Sequence, residues 1–387
     1  MKPLLRSLAG SVQTLADSGP LLRDAVQRGN LRVIASMLGP AFRGLVQQRG
    51  RKEEMTPLRL GYSAQFDWRY RRTEPEMARL YEAAKASQWN ATTDLAWSTD
   101  VDPESAERPL IPDSLIPLVN HPAFQRLSPR EKGAQRRALM AWMLSQFLHG
   151  EQGALFAAAQ VTEAVPWLDA KLFGSTQVVD EGRHVETFHT YLTQKLEKLY
   201  EINDNLYVIV DALMSDARWD IKFLGMQIMI EGLALGAFCH LRQHTQEPLL
   251  RQLLTFVITD EARHVHYGVL ALQKFYETEL NERERRERED WAFEVSLLLR
   301  DRFLAHEFYE EHWAHAMSRA EWDRYMLESE TMALFRGTMF KRVVPNLKRI
   351  GLLSDRSRPR YAEAGLLQYE HLRAAPELTA KDLLEDR

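Results

Sequence analysis

Asp180-Glu181-Gly182-Arg183-His184-Val185 and Asp260-Glu261-Ala262-Arg263-His264-Val265 are two copies of one hexapeptide, 80 residues apart. The same offset joins Glu151-Gln152-Gly153-Ala154-Leu155-Phe156-Ala157 to Glu231-Gly232-Leu233-Ala234-Leu235-Gly236-Ala237. In each copy a Glu lies 30 residues before a Glu-x-x-His. Positions i and i+3 share a helix face, so Glu181 and His184 point one way, as do Glu261 and His264. The chain therefore carries two half-sites, each a Glu on one helix and a Glu plus a His on the next. Two helices from each copy can form a four-helix bundle with Glu151, Glu181, His184, Glu231, Glu261 and His264 projecting inward. Four carboxylates and two imidazoles mix hard oxygen with borderline nitrogen, which suits iron or manganese rather than a closed tetrahedral zinc site. Their charge also matches two divalent cations. Without metal, the carboxylates would repel one another in a dry core at a cost of several kcal/mol.

The rest of the chain reads as all-α, since apolar residues recur near a 3.6-residue period and alternating runs are scarce. Ser128-Pro129-Arg130-Glu131 has an N-cap residue, Pro at the first helical position and Glu at the third. That predicts a long helix from there to about Val165. Further helices are expected over 167–200, 217–244, 247–279, 283–316 and 319–349. Ser98 to Ser114 is polar and reads as a long loop. The charged run Asn281 to Asp290 reads as a solvated helix face. The domain reading is an N-terminal helical extension and loop over 1–125, the bundle over 126–350 and a C-terminal tail over 351–387. The last fifteen residues or so are expected to be loose.

Composition narrows the function. With 387 residues, 45% hydrophobic and 27% charged, the chain is long enough to bury a full core. Its single cysteine, Cys239, excludes a disulfide scaffold and all-cysteine metal sites, and fits a reducing, cytoplasmic setting. A net charge of -4 gives no basic footprint for nucleic acid. No continuous apolar run approaches the roughly 18 residues of a spanning helix, so no membrane span is expected. Residues 1–50 hold seven Lys/Arg against two Asp, a faint likeness to a transit peptide. The spacing of Leu4, Leu5, Leu8, Val12 and Leu15 reads instead as an amphipathic helix packed on the parent domain.

Other acid–histidine pairs are weaker. Glu186 and His189 make a third Glu-x-x-His, but Phe156 stands where the upstream Glu should be. Glu186 also lies five residues, about 140°, around the helix from Glu181. It reads as a decoy. His312 and His315 share a helical face in an acidic neighbourhood and read as solvated. A metal-bound His is usually oriented by a carboxylate on its other ring nitrogen. Asp180 and Asp260 can each serve the His of the opposite repeat, with Arg183 and Arg263 balancing their charge.

The six-residue pattern resembles the ferritin-like di-iron carboxylate proteins, whose bundle takes a Glu from each of two helices and Glu-x-x-His from each of the other two. The resemblance covers about residues 130–280. The repeated Asp-Glu-x-Arg-His is especially similar to the oxygenase and ribonucleotide-reductase-small-subunit branch. It implies a ferritin-like four-helix bundle with additional N- and C-terminal helices. One iron would sit on Glu151, Glu181 and His184 and the other on Glu231, Glu261 and His264, with Glu181 and Glu261 bridging. It further implies an O2-activating oxidoreductase, an oxygenase acting on a small or apolar organic substrate by hydroxylation or N-oxygenation.

Phe188 and Glu151 stand where radical-storing reductase subunits carry Tyr and Asp. Leu235 replaces the Thr of multicomponent hydroxylases, and Val257 the additional His of arylamine N-oxygenases. If the helices are phased as the spacing indicates, Ala154, Leu155, Ala158, Phe188, Ala234, Leu235 and Phe238 line a dry pocket. No dinucleotide fingerprint or cysteine cluster is present, so electrons are expected from a separate ferredoxin or reductase. Arg126, Arg130, Lys132, Arg136 and Arg137 read as a solvated basic helix start, with docking of an acidic ferredoxin as the alternative. An iron-handling protein without turnover and a Mn/Fe ligand-binding oxidase are the alternatives. A homodimer is the base-rate oligomer.

Overall fold

The computed structural model describes residues 31–53, 55–56 and 61–385, and the expected amphipathic helix around Leu4–Leu15 lies outside them. The described secondary structure is helical, with no strand among the described residues. Four long helices form the centre: α1 (Pro129–Ala164), α2 (Leu168–Tyr191), α3 (Trp219–His244) and α4 (Pro248–Thr278).

Two of them begin where the sequence provides a cap. Ser128 and Glu131 close a capping box at α1, with Pro129 in the first turn. The Glu247 carboxylate accepts from the Leu249 and Leu250 amides at the head of α4. Short turns join α1 to α2 and α3 to α4, so each repeat is an antiparallel helical hairpin. The hairpins dock through α2 against α4 and α1 against the first half of α3. Close approach is needed where α3 crosses α4: a Cβ on Gly268 would lie 2.5 Å from Cβ of Gln227.

Helix α3 contains a π-helical stretch, Leu224–Ile230, immediately before Glu231. Such bulges re-phase a helix by one residue and are frequent at functional sites. By length and composition α3 is also apolar enough to cross a membrane, which the search for an unbroken apolar run did not anticipate. Its most apolar 18-residue window is wholly buried inside the protein.

Outer helices wrap this centre. Asp204–Ser215, which the periodicity reading passed over, packs on α1. Pro75–Ala86 packs on α2 and α4, and Glu330–Phe340 on α3. The expected loose C-terminus is instead docked: the helix Ala380–Glu385 lies on α4 with Leu383 buried.

Two further expectations change. Helix α5 (Glu282–Asp301) stops short of the predicted 316. A 3-10 turn, Arg302–Leu304, and left-handed Ala305 (φ 49°) break it before His306–His312. A left-handed non-glycine residue costs roughly 1–2 kcal/mol, so packing holds this break. The charged run is also not a solvated face throughout. Glu287, Arg288, Glu289 and Asp290 are buried. Arg288 pairs with Asp220 at 2.9 Å, Glu287 with Arg218 at 2.7 Å and Glu289 with Arg356 at 2.6 Å. Their partners lie about 70 residues away on either side, beyond what a local charge pattern can reveal.

Candidate metal centre

The four central helices bring Glu151 (α1), Glu181 and His184 (α2), Glu231 (α3), and Glu261 and His264 (α4) to one point. All six are buried, and four of them have no exposed surface. The His184 Nδ1 atom lies 3.3 Å from oxygens of Glu151, Glu181 and Glu261. The His264 Nδ1 atom lies 3.1 Å from Glu181 Oε1 and 3.6 Å from Glu261 Oε1. Two donor groups result, each with atoms mutually within 4.8 Å: Glu151, Glu181, His184 and Glu261, and Glu181, Glu231 and His264. Glu181 belongs to both.

The outer imidazole nitrogens are held crosswise. His184 Nε2 sits 3.2 Å from Asp260 Oδ2, and His264 Nε2 3.2 Å from Asp180 Oδ2. Each aspartate therefore fixes the histidine of the other repeat, with the Nε2 proton toward the carboxylate and Nδ1 toward the centre. Arg183 bonds Asp180 and reaches Asp260 at 3.3 Å, while Arg263 bonds Asp260 and lies 3.8 Å from Asp180. Both arginines are buried, so the set of two aspartates and two arginines is neutral and enclosed.

Sequence reasoning missed four neighbours. Gln177 Nε2 donates to Glu181 Oε1 at 3.1 Å and to Glu231 Oε1 at 3.0 Å. Gln227 donates to Gln177 Oε1 at 3.3 Å. Each glutamine lies one helical turn before a centre glutamate, a spacing that could have flagged it. Trp89 Nε1 donates to Asp260 Oδ2 at 2.7 Å, and Gln88 to Asp180 Oδ1 at 3.3 Å. These two come from the loop after Pro75–Ala86, and nothing local in the sequence announces them.

The residues set aside stay aside. Glu186 and His189 are exposed. His312 is half-buried with Nε2 3.2 Å from the Tyr200 hydroxyl, and His315 is exposed. Of the expected pocket wall, only Ala154 and Ala234 line the cavity beside the centre, together with Gln146, Phe147, Gly150, Ile230 and Arg302. Phe188 and Phe238 stack instead against each other and Phe147 as core. Of the basic helix start, Arg136 is buried on Asp113 at 2.6 Å and Arg137 donates to the Leu196 carbonyl at 2.9 Å. Arg126 and Arg130 stay exposed.

The donor set fits a pair of cations. Glu181 Oε2, Glu231 Oε2, both Glu261 oxygens and His264 Nδ1 are buried and take part in no hydrogen bond. Orphaned lone pairs of this kind are expensive unless a proton or metal meets them. The bundle is ferritin-like. No family model and no curated protein matches the chain. Among solved structures, an R2-like ligand-binding oxidase with aerobically reconstituted metal cofactor after photoconversion is similar at 18% identity and a TM-score of 0.48, covering 74% of this chain and 95% of that one. A point mutant of such an oxidase, with anaerobically reconstituted Mn/Fe cofactor, is similar at 20% identity and a TM-score of 0.44, covering 74% and 96%. Likeness of that degree leaves metal and activity to be argued from this chain's own residues.

Protons take the cations' place when metal is absent. Burial, reinforced by repulsion from Glu261, pushes Glu151 and Glu231 well above the usual carboxylate range. Burial alone would lower both histidines, but it is outweighed by Glu151 at His184 and by Glu181 and Glu261 at His264, so both are raised well above the ordinary imidazole value. A raised folded-state value means that folding favours the protonated form. That stability is complete below the unfolded value and is lost as pH rises through the folded one. Metal-free protein should therefore become less stable as pH rises above about 6.5, the unfolded imidazole value. Metal-loaded protein, its nitrogens committed to ions, should not. Melting temperatures of both forms across that range test this; parallel curves would contradict it.

Proposed function

We propose that the chain is an oxidoreductase built on a dinuclear metal centre. Glu151, Glu181 and His184 would hold one ion and Glu231, Glu261 and His264 the other, with Glu181 in reach of both. One observation carries the reading: six metal-ligating groups from four helices converge in a dry core, and several of their lone pairs meet no donor. When bound, two iron ions, or manganese with iron, would supply the redox chemistry that activates O2 and oxidises a small organic substrate.

The protein's part is positional. Four carboxylates balance two divalent charges. Asp180 and Asp260 hold each imidazole with Nδ1 turned inward. The Gln177 amide fixes one oxygen each of Glu181 and Glu231 and leaves the second toward the centre. Phe147, Ala154, Ile230 and Ala234 keep the adjoining cavity apolar and limit water. The chain carries no dinucleotide or cysteine-cluster motif, so electrons would come from a separate ferredoxin or reductase. The lone thiol of Cys239 accords with a cytoplasmic setting.

The test is reconstitution with iron(II) under anaerobic conditions, metal counting, then mixing with O2. A catalyst should bind about two ions per chain and give a transient visible absorption. Uptake of many irons per chain would make it an iron-handling protein instead. Failure to retain iron at all would end the dinuclear reading.

A further inference from the structure

Phe66, Trp68 and Tyr70 are 71%, 76% and 68% exposed. Apart from Met55, no large apolar side chain among the described residues is as exposed as these three. They alternate along one short stretch, Phe66-Asp67-Trp68-Arg69-Tyr70-Arg71-Arg72. The stretch holds no helix, yet it is fixed in place. Upstream, Tyr62 donates to Glu163 Oε2 at 2.7 Å and the Gln65 amide to the Glu163 carbonyl at 2.8 Å. Downstream, Arg72 bonds Asp169, and the Glu74 amide donates to Asp169 Oδ2 at 2.9 Å. Both ends are thus pinned beside the turn between α1 and α2. Between them the Asp67 carboxylate accepts from the Arg69 and Arg71 amides at 2.9 and 3.0 Å. Those bonds bracket Tyr70, whose left-handed backbone (φ 52°) a bulky residue adopts only when its surroundings hold it. Phe66 and Trp68 stack with ring centroids 5.2 Å apart. Phe156, also exposed, lies two turns before Glu163 and so on the same face of α1.

Charge says what this loop meets. Arg72 is answered by Asp169, and Asp67 spends its carboxylate on backbone amides, which leaves Arg69 and Arg71 as the exposed cations beside the rings. Residues 61–73 hold three arginines against one aspartate, a local charge of +2 in a chain of net charge -4. Aromatic rings with adjacent arginines match the headgroup level of a bilayer, where the rings leave water and the guanidinium groups bond lipid phosphates. We infer that this loop seats the protein on an anionic membrane surface, with Phe66, Trp68 and Tyr70 at the boundary of headgroups and acyl chains and Arg69 and Arg71 on lipid phosphates. A protein partner needs a matched surface of about 800 Å² around such anchors. Here the rings stand on a short irregular segment among exposed polar residues, and lipid requires no matching shape. Stacked on each other, Phe66 and Trp68 leave no slot between them for a nucleic-acid base. Surface association of this kind needs no spanning helix and is independent of the dinuclear reading.

The experiment uses the full chain and sedimented vesicles of phosphatidylcholine, alone or with about a quarter phosphatidylglycerol. Wild type should bind the mixed vesicles at least about tenfold more tightly than the neutral ones, and less tightly as salt rises from about 0.1 to 0.5 M. Arg69→Gln combined with Arg71→Gln should weaken binding about tenfold or more. Trp68→Ser should do so by about tenfold, and Trp68→Tyr should retain most of the binding. All these side chains are exposed, so the melting temperature should not move. Arg126→Gln combined with Arg130→Gln removes the same charge from another exposed site and should bind as wild type does. Vesicles with brominated acyl chains should quench wild-type tryptophan fluorescence, and the quenching should vanish in Trp68→Ser although the other tryptophans remain. Wild type that ignores the phosphatidylglycerol vesicles overturns the inference. So does an equal loss of binding from the two arginine pairs, or quenching that is absent or indifferent to Trp68. A lipid-free wild-type dimer that Trp68→Ser splits into monomers would also overturn it, because the loop would then be a contact between copies of the chain.

Discussion

Glu181→Ala should empty the centre of both metals. Glu181 is the one side chain that contributes an oxygen to each donor group, with His264 Nδ1 3.1 Å from its Oε1 and His184 Nδ1 3.3 Å from its Oε2. Removing it leaves one group with a His and two carboxylates and the other with a His and one carboxylate. It also leaves three negative charges against two divalent cations. Metal content after iron(II) reconstitution should fall from about two ions per chain to near zero. Glu231→Ala touches a single group and should leave about one ion. His264→Ala should behave like Glu231→Ala. Glu186→Ala, on the exposed face of the same helix as Glu181, should keep both ions. Retention of two ions by Glu181→Ala would show that the six groups do not act as one centre, and loss of iron from Glu186→Ala would put the centre on another face of α2.

The centre was legible in the sequence because duplication wrote it twice. The 80-residue offset, the 30-residue gap and the i, i+3 pairs together fix which faces meet, and a helix has little freedom to turn them elsewhere. The crosswise roles of Asp180 and Asp260 were legible for the same reason: each lies one residue before a glutamate of the centre and therefore points about 100° away, toward the neighbouring helix. What stayed hidden depends on distant partners. Nothing near Trp89 marks it as a donor to Asp260, 171 residues away. The Glu287–Asp290 run looks solvated until Arg218, Asp220 and Arg356 are placed against it. The breaks in α3 and α5 oppose local propensity, since the sequence there is as helical as its surroundings, and packing decides them. Both breaks fall beside the centre, at Glu231 and at Arg302. Departures from local rules concentrate at functional sites because such sites are shaped for chemistry more than for stability.

Asp260→Ala should weaken both the fold and the centre, and the two effects can be separated. Its Oδ2 accepts from Trp89 Nε1 at 2.7 Å and lies 3.2 Å from His184 Nε2 and 3.3 Å from Arg183 Nη2, while Oδ1 receives Arg263. The alanine variant strands charged and polar groups that are all buried. Breaking a buried pair in this way costs about 3–5 kcal/mol. At about 2.1 cal/mol/K per residue of unfolding entropy, that lowers the melting temperature of a chain this size by roughly 4–6 °C. The released His184 ring also loses the contact that turns Nδ1 inward, so metal affinity should drop about ten- to hundredfold. A general loss of stability would not by itself produce the second effect. Asp220→Ala provides the comparison, because it strands Arg288 in the same manner but away from the centre. It should lower the melting temperature by a similar amount and leave metal affinity unchanged. If Asp260→Ala and Asp220→Ala shift affinity equally, Asp260 serves the packing of the bundle and not the orientation of His184. If Asp260→Asn, which keeps an acceptor for Trp89, recovers stability but not affinity, the carboxylate charge rather than the hydrogen bond is what the imidazole requires.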